Sequence, residues 1–362
     1  MRAIAATLRG NPALWLLVFV PAVLLAHAVR PDAHTLLFVL SVLAIVPLAA
    51  LLSRATEAVA ARTGDTVGGL LNATLGNLTE LVIAFAALRA GQHLLVKASI
   101  AGAIVTNSLF MLGASFLLGG LKHRTQEFNR ASARLQASLL FLATVALLVP
   151  STVTSVNDEG AARFTHTLSV GLSMLLLTTY GLGLLFSLRT HRELFASAEH
   201  GPQDGHWPIS AALATLAGVT VAVAVVSEIF VESVQAAADA FGLTPAFVGF
   251  IVVAMVGGAA ELLSAIAGAR RNRLDLSVGI ALGSASQIAL LVAPVLVLVS
   301  YLIGPEPMDL RFWTGGVAMM LIATMTASLV TNSGRAAWFV GVLLLMVYLV
   351  FALTLFLLPP GR

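Results

Sequence analysis

The chain has 362 residues, 59% of them hydrophobic and 10% charged, with a mean hydropathy of +0.97. A soluble domain carries about 25% charged residues, so the composition excludes a soluble globular protein and predicts an all-α polytopic membrane protein. The formal charge of +3 resides in loop Lys and Arg and makes no nucleic-acid-binding face, and the lack of Cys excludes disulfides and thiolate metal sites.

Eleven stretches are long and apolar enough to cross a bilayer, near residues 12–29, 34–52, 66–89, 97–120, 133–150, 165–187, 208–231, 244–269, 276–302, 311–331 and 335–358. The first follows Arg2 and Arg9 and ends near Ala26-His27-Ala28, the outline of a signal peptide, but it reads better as a transmembrane span. Trp15, Trp207, Trp313 and Trp338 all fall near span ends, where aromatic anchors sit. The second span closes on Ser53-Arg54-Ala55-Thr56-Glu57, and the third carries Gly76, Asn77, Thr79 and Glu80 near its middle. A carboxylate at that depth costs at least ~2.5 kcal/mol. Gly and Asn beside it form helix poorly, so the expected element is a broken helix whose freed backbone groups line a cavity.

The pattern returns in the second half of the chain. TGDTVGGLLNATLGNLTE, ending at Glu80, matches TPAFVGFIVVAMVGGAAE, ending at Glu261, through Thr63/Thr244, Val67/Val248, Gly68/Gly249, Ala73/Ala254, Gly76/Gly257 and Glu80/Glu261, each pair 181 positions apart. After a one-residue gap, Thr106-Asn107 matches Ser286-Gln287. The chain is therefore expected to divide into a first span (1–31), a five-span repeat (32–188), a linker (189–207) and a second five-span repeat (208–362). An odd number of spans per repeat inverts the second relative to the first, and Glu80 and Glu261 are expected to face each other across a pseudo-two-fold axis at the midplane. Fourteen Lys and Arg fall on the side of the N-terminus and six on the other, which predicts a cytoplasmic N-terminus and an outside C-terminus. The linker holds His191, His200 and His206, which read as solvated residues rather than a metal site because no tight ligand spacing joins them.

Two carboxylates in a low-dielectric cavity are discharged either by protons or by a shared divalent cation, because desolvation and mutual repulsion penalise the doubly charged pair. If the empty charged pair does not cross easily, the two movements are coupled. Oxygen-only ligation suits a hard cation such as Ca2+, which accepts about 6–8 oxygens. Asn77, Asn107, Ser286 and Gln287 supply neutral oxygens near Glu80 and Glu261. A structural reading stands beside this one: a buried Glu can be a permanently protonated hydrogen-bond donor, and Asn107 and Gln287 can hold helices together. Glu57, closing span 2, and Glu228 and Glu232, closing span 7, are either solvated end residues or an ion access path.

At GGLLNATLGNLTELVIAFAALRAG, ASIAGAIVTNSLFMLG and GGAAELLSAIAGARRNRLDLSVGIALGSASQIAL, with RATEAVAARTG and SEIFVES in the flanking spans, the chain resembles the calcium/proton antiporter family of the calcium/cation antiporter superfamily. The resemblance runs from span 2 to span 11. It implies eleven spans, Ca2+ export against proton entry without a cofactor, and a bacterial inner (plasma) membrane. It also implies Glu80 and Glu261 as shared ion and proton ligands, Asn77, Asn107, Ser286 and Gln287 as helpers, and tilting of spans 2 and 7 as the access step. Gly258 stands where the family usually has Asn and Leu262 where it often has His, so the second half has one side-chain oxygen fewer. The alternative within the superfamily is Na+ as driving ion or Mn2+ as cargo. An enzyme is disfavoured, since no HExxH and no Ser–His or paired-Asp set lies at depth, and no phosphate-binding Lys loop would make ATP the energy source. A channel would need a continuous pore instead of two opposed broken helices. The expected partners are Ca2+, H+ and the lipid bilayer, and no oligomeric state is legible.

Overall fold

The computed structural model describes residues 12–63, 65–153, 159–191 and 207–357. A 3₁₀ segment (Pro12–Val18) leads into α1 (Phe19–Val29), followed by α2 (His34–Ala60), α3 (Asp65–Leu75), α4 (Leu78–Arg89) and α5 (His93–His123). Next come β1 (Thr125–Glu127), α6 (Arg130–Val153) and α7 (Glu159–Leu185). The second half holds α8 (Ile209–Phe241), α9 (Pro245–Gly257), α10 (Ala259–Arg270), α11 (Leu274–Ser300), α12 (Thr314–Thr331), β2 (Arg335–Ala337) and α13 (Trp338–Leu357). By length and composition eight of these helices can each cross a membrane, and the bent pairs α3–α4 and α9–α10 raise the number to ten. The first of the eleven expected spans is a shorter apolar helix, Leu14–Val29, below the ~20 residues of a regular crossing.

Both breaks fall where the repeat put them. α3 and α4 meet at 41°, and α9 and α10 at 59°. Asn77 (φ −97°, ψ 28°) and Gly258 (φ −82°, ψ 14°) leave helical geometry at equivalent points, each directly before a helix whose first turn carries the acid. The start of α9 is written locally. Gly242 ends α8 at φ +66°, Thr244 Oγ1 accepts from the Phe247 amide at 3.1 Å, and Pro245 fills the first helical position.

α5 and α11 are the two most enclosed long helices, and each widens into a π-helical stretch at Thr106–Met111 and Ile288–Val292. α5 meets α9 backbone to backbone: a Cβ on Gly102 would lie 2.1 Å from the Phe250 carbonyl oxygen. α2 and α8 pack along each other, with the Phe38 and Phe230 rings stacked at 5.3 Å. α8 runs on to Phe241, past its expected end, so Glu228 and Glu232 lie inside a continuous helix and not at its close. Its 33 residues, at ~1.5 Å each, reach about 50 Å, beyond the ~30 Å hydrocarbon core, so it tilts or projects.

The two ends of the bundle carry different fastenings. At one end β1 and β2 form an antiparallel ribbon pairing Thr125 with Ala337 and Glu127 with Arg335. Beside it Lys122 Nζ donates to the Arg270 carbonyl at 3.0 Å, and Gln126 Nε2 donates to the Ala269 carbonyl and to Asn272 Oδ1, both at 2.9 Å. At the other end Arg89 pairs with Glu228 at 3.0 Å, and Lys97 pairs with Asp309 in the loop before α12. Lys122, Arg270 and Arg335, placed on one membrane side by the charge count, thus meet at one end, while Arg89 and Lys97 belong to the other.

Candidate cation site

The first turn of α4 carries Glu80 and the first turn of α10 carries Glu261. Each helix starts at a break, so the positive end of the helix dipole lies beside a carboxylate. Glu80 reaches across to the break of the opposite half. A Cβ on Gly257 would lie 2.9 Å from Glu80 Cγ, and one on Gly258 would lie 3.6 Å from Glu80 Oε1. Both carboxylate oxygens of Glu80 are buried, and among the described residues neither has a hydrogen-bond partner. A buried carboxylate in that condition is uncompensated until it takes a proton or a cation.

Glu261 is half-buried and lies within electrostatic reach of both Glu80 and Glu57. The two acids are not held symmetrically. Glu80 lies on Gly257-Gly258, whereas the groups nearest a Cβ on the equivalent Gly76 are the Asn72 carbonyl at 2.7 Å and Gln287 Oε1 at 3.7 Å.

A polar chain joins the first-half break to the central helices. Ser284 Oγ donates to Asn77 Oδ1 at 2.7 Å, and Asn77 Nδ2 donates to Gln287 Oε1 at 2.6 Å. Asn107 Nδ2 donates to Ser284 Oγ at 2.9 Å. Both ends of the Asn77 amide are therefore engaged. Asn107 keeps its oxygen directed elsewhere, 3.6 Å from where a Gly258 Cβ would stand, the same distance as Glu80 Oε1 from that point.

The structure brings Glu80, Asn77, Asn107 and Gln287 together, with Glu261 close by. Ser286 does not join them: its hydroxyl donates to the Leu282 carbonyl at 2.8 Å and the Gln136 carbonyl at 3.3 Å, on the side of α6. Ser284 occupies the position instead, and the sequence held a signal for it. Residues three apart share a helix face, so Ser284 and Gln287 point one way and Ser286 another. Of the access-path residues, Glu57 is exposed and accepts from Ser53 Oγ at 3.4 Å, Glu228 is held by Arg89, and Glu232 is exposed on α8. His191 is exposed and stacks on Phe186 at 4.2 Å, while His200 and His206 lie outside the described residues.

Among the described residues no three His, Cys, Asp or Glu side chains gather as a metal-holding group. The site is two acids with neutral amide and hydroxyl oxygens, a donor set suited to a hard divalent ion.

A family model for the sodium/calcium exchanger protein matches residues 33–189 and, separately, 211–357. The chain belongs to the sodium/calcium exchanger family. Each matched segment of this exchanger contains one broken span and one central helix with a π-helical stretch. It is 39% identical to the Ca2+/H+ antiporter of Aphanothece halophytica over 359 residues, covering 95% of this chain and 96% of that one. It is 38% identical to the Ca2+/H+ antiporter ChaA of Bacillus subtilis over 326 residues, covering 89% and 92%. The structure of native YfkE superposes with a TM-score of 0.82 at 35% identity, covering 95% of this chain and 98% of YfkE. The H+/Ca2+ exchanger CAX shares the fold, with a TM-score of 0.72 at 16% identity, covering 96% and 88%.

Proposed function

We propose that this exchanger moves Ca2+ out of the cell against entering protons, with Glu80 and Glu261 holding either the ion or the protons. The observation that carries the reading is the Glu80 carboxylate, sealed and without a partner among the described residues against the break of the opposite half, where Asn107 Oδ1 also faces Gly258. Relatives named Ca2+/H+ antiporter at 38–39% identity support the choice of ions. A pair of acids in this setting is costly when charged and empty, so the site changes occupant instead of emptying, and that coupling needs no ATP. Asn77, Ser284 and Gln287 position the break, and Asn107 and backbone carbonyls freed at the breaks complete the oxygen set.

The two halves, 32–188 and 208–362, act as inverted five-span repeats after a first crossing within 1–31, and the two segments matched by one family model, 33–189 and 211–357, support the division. The N-terminus lies on the cytoplasmic side of a bacterial plasma membrane and the C-terminus outside. Support comes from the excess of basic residues on the side of Lys122, Arg270 and Arg335. α2 and α8, which pack on each other beside the breaks, tilt to open the site alternately. Glu57 then serves the cytoplasmic mouth near Glu261, and Glu228 and Glu232 the outer one.

The test is transport by the purified protein in liposomes. A pH gradient is expected to drive uptake of radiolabelled Ca2+ without Na+. Uptake driven by a Na+ gradient and not by a pH gradient would overturn proton coupling.

A further inference from the structure

Asn77 and Gly258 occupy equivalent positions in the two halves, and their backbones are nearly alike, at φ −97°, ψ 28° and φ −82°, ψ 14°. Those angles are open to any L residue, so the backbone does not require glycine at 258. Space there is tight but not closed, needing the Ala254 carbonyl to give by a few tenths of an ångström. A Cβ there would meet the Ala254 carbonyl oxygen at 3.3 Å, Asn107 Oδ1 at 3.6 Å and Glu80 Oε1 at 3.6 Å, whereas one on neighbouring Gly257 would press to 2.9 Å from Glu80 Cγ. Two oxygens from other helices, Asn107 Oδ1 of α5 and Glu80 Oε1 of α4, thus face the position that a side chain at 258 would enter, while the Ala254 carbonyl also accepts the Gly258 amide at 3.1 Å. One of them belongs to a buried carboxylate without a partner among the described residues.

The asymmetry extends to the amides. In the first half the Asn77 side chain is engaged by Ser284 and Gln287. In the second half position 258 offers no side chain. Asn107, the counterpart of Gln287, donates to Ser284 and leaves Oδ1 facing the glycine.

Resting on the Ca2+/H+ exchange reading, we propose that the space over Gly258 holds one water ligand of the transported ion, so that the cation binds partly hydrated and Gly258 sets cation selectivity. The water donates its hydrogens towards Asn107 Oδ1 and the Ala254 carbonyl and gives its oxygen to an ion held by Glu80. A site that keeps a water discriminates less against ions that shed water reluctantly, Mg2+ above all, than one in which protein oxygens replace every water. Oxygen ligands suit Mg2+, Ca2+ and Mn2+ alike, so donor type does not tell them apart, and the number of protein ligands and the water retained contribute to the choice.

The experiment uses the full-length protein in liposomes, with pH-driven uptake of radiolabelled Ca2+ titrated against unlabelled Mg2+ and Mn2+. Gly258→Ala fills the water's place without supplying an oxygen, and its KM for Ca2+ is expected to rise about tenfold, the scale of losing one supporting interaction around a metal. Gly258→Asn supplies an oxygen, so its KM stays at or below wild type, while the Mg2+ and Mn2+ concentrations giving half inhibition rise. Unchanged KM and inhibition in both variants would overturn the proposal, as would equal loss of Ca2+ affinity in Ala and Asn. Ca2+-dependent shifts in melting temperature of the same three proteins in detergent separate a lost ligand from a lost fold. If the wild type shows no pH-driven uptake, the exchange reading fails, and the order of Ca2+ affinities from those melting shifts still decides the role of Gly258.

Discussion

The carboxylate of Glu80 is the least compensated group in the core of the site, and its neighbours decide what each substitution does. Gln at either acid keeps the shape and removes the charge, so Glu80→Gln and Glu261→Gln are each expected to reduce exchange to background while the protein still inserts and folds. Uptake by proteoliposomes and size-exclusion profiles check this, and wild-type rates in either variant would remove that acid from the mechanism. Ser284 and Ser286 make a sharper contrast. Ser284→Ala strands Asn77 Oδ1 and Asn107 Nδ2 and is expected to cost about 1–3 kcal/mol and to weaken Ca2+ binding. Ser286→Ala loses only a hydroxyl bonded to nearby backbone and is expected to cost under ~1 kcal/mol, with exchange unchanged. Thermal melts in detergent distinguish the two. The acids, Asn77, Asn107 and Gln287 were legible because charge and amides stand out in an apolar run. Matching by repeat position selected Ser286, but the helical phase of α11 governs which hydroxyl faces the break, and it presents Ser284.

At the scale of elements, the sequence showed the two breaks because Gly76-Asn77 and Gly257-Gly258 interrupt apolar helix beside an acid. It did not show the π-helical stretches that begin at Thr106 and follow Gln287, since no residue type marks a widened turn. The end of α8 was missed because apolar content marks the oil-facing part of a helix and says little about how far the helix continues beyond it. The β1–β2 ribbon was missed because each strand has three residues and its partner lies in the other half of the chain. The contact of α5 with α9 is the element-level feature most open to test. Gly102→Ala places a methyl 2.1 Å from the Phe250 carbonyl oxygen and forces the helices apart. The expected loss is about 1–3 kcal/mol, read as a lower melting temperature, and an unchanged melt would show that the two backbones are not closely packed.

Across the whole molecule, the two matched segments meet so that Glu80 of the first lies on the break of the second. The inversion proposed for them has a topological consequence. Arg189 and Arg311 are both exposed, and the chain has no native Cys, so Arg189→Cys and Arg311→Cys provide single labelling sites. A membrane-impermeant maleimide is expected to reach position 189 only from the cytoplasmic side and position 311 only from outside; labelling of both from one side would exclude the inverted arrangement.

The mechanism as a whole requires that the same pair of acids be discharged by either Ca2+ or protons. Calorimetric titration of the purified protein with Ca2+, repeated in buffers of different ionisation enthalpy, measures this directly by counting protons released per ion bound. Shared occupancy predicts proton release on Ca2+ binding, weaker binding as pH falls because protons hold the carboxylates, and loss of the release in the Glu80→Gln, Glu261→Gln double variant. Ca2+ binding without proton release, or release undiminished in the double variant, would contradict it.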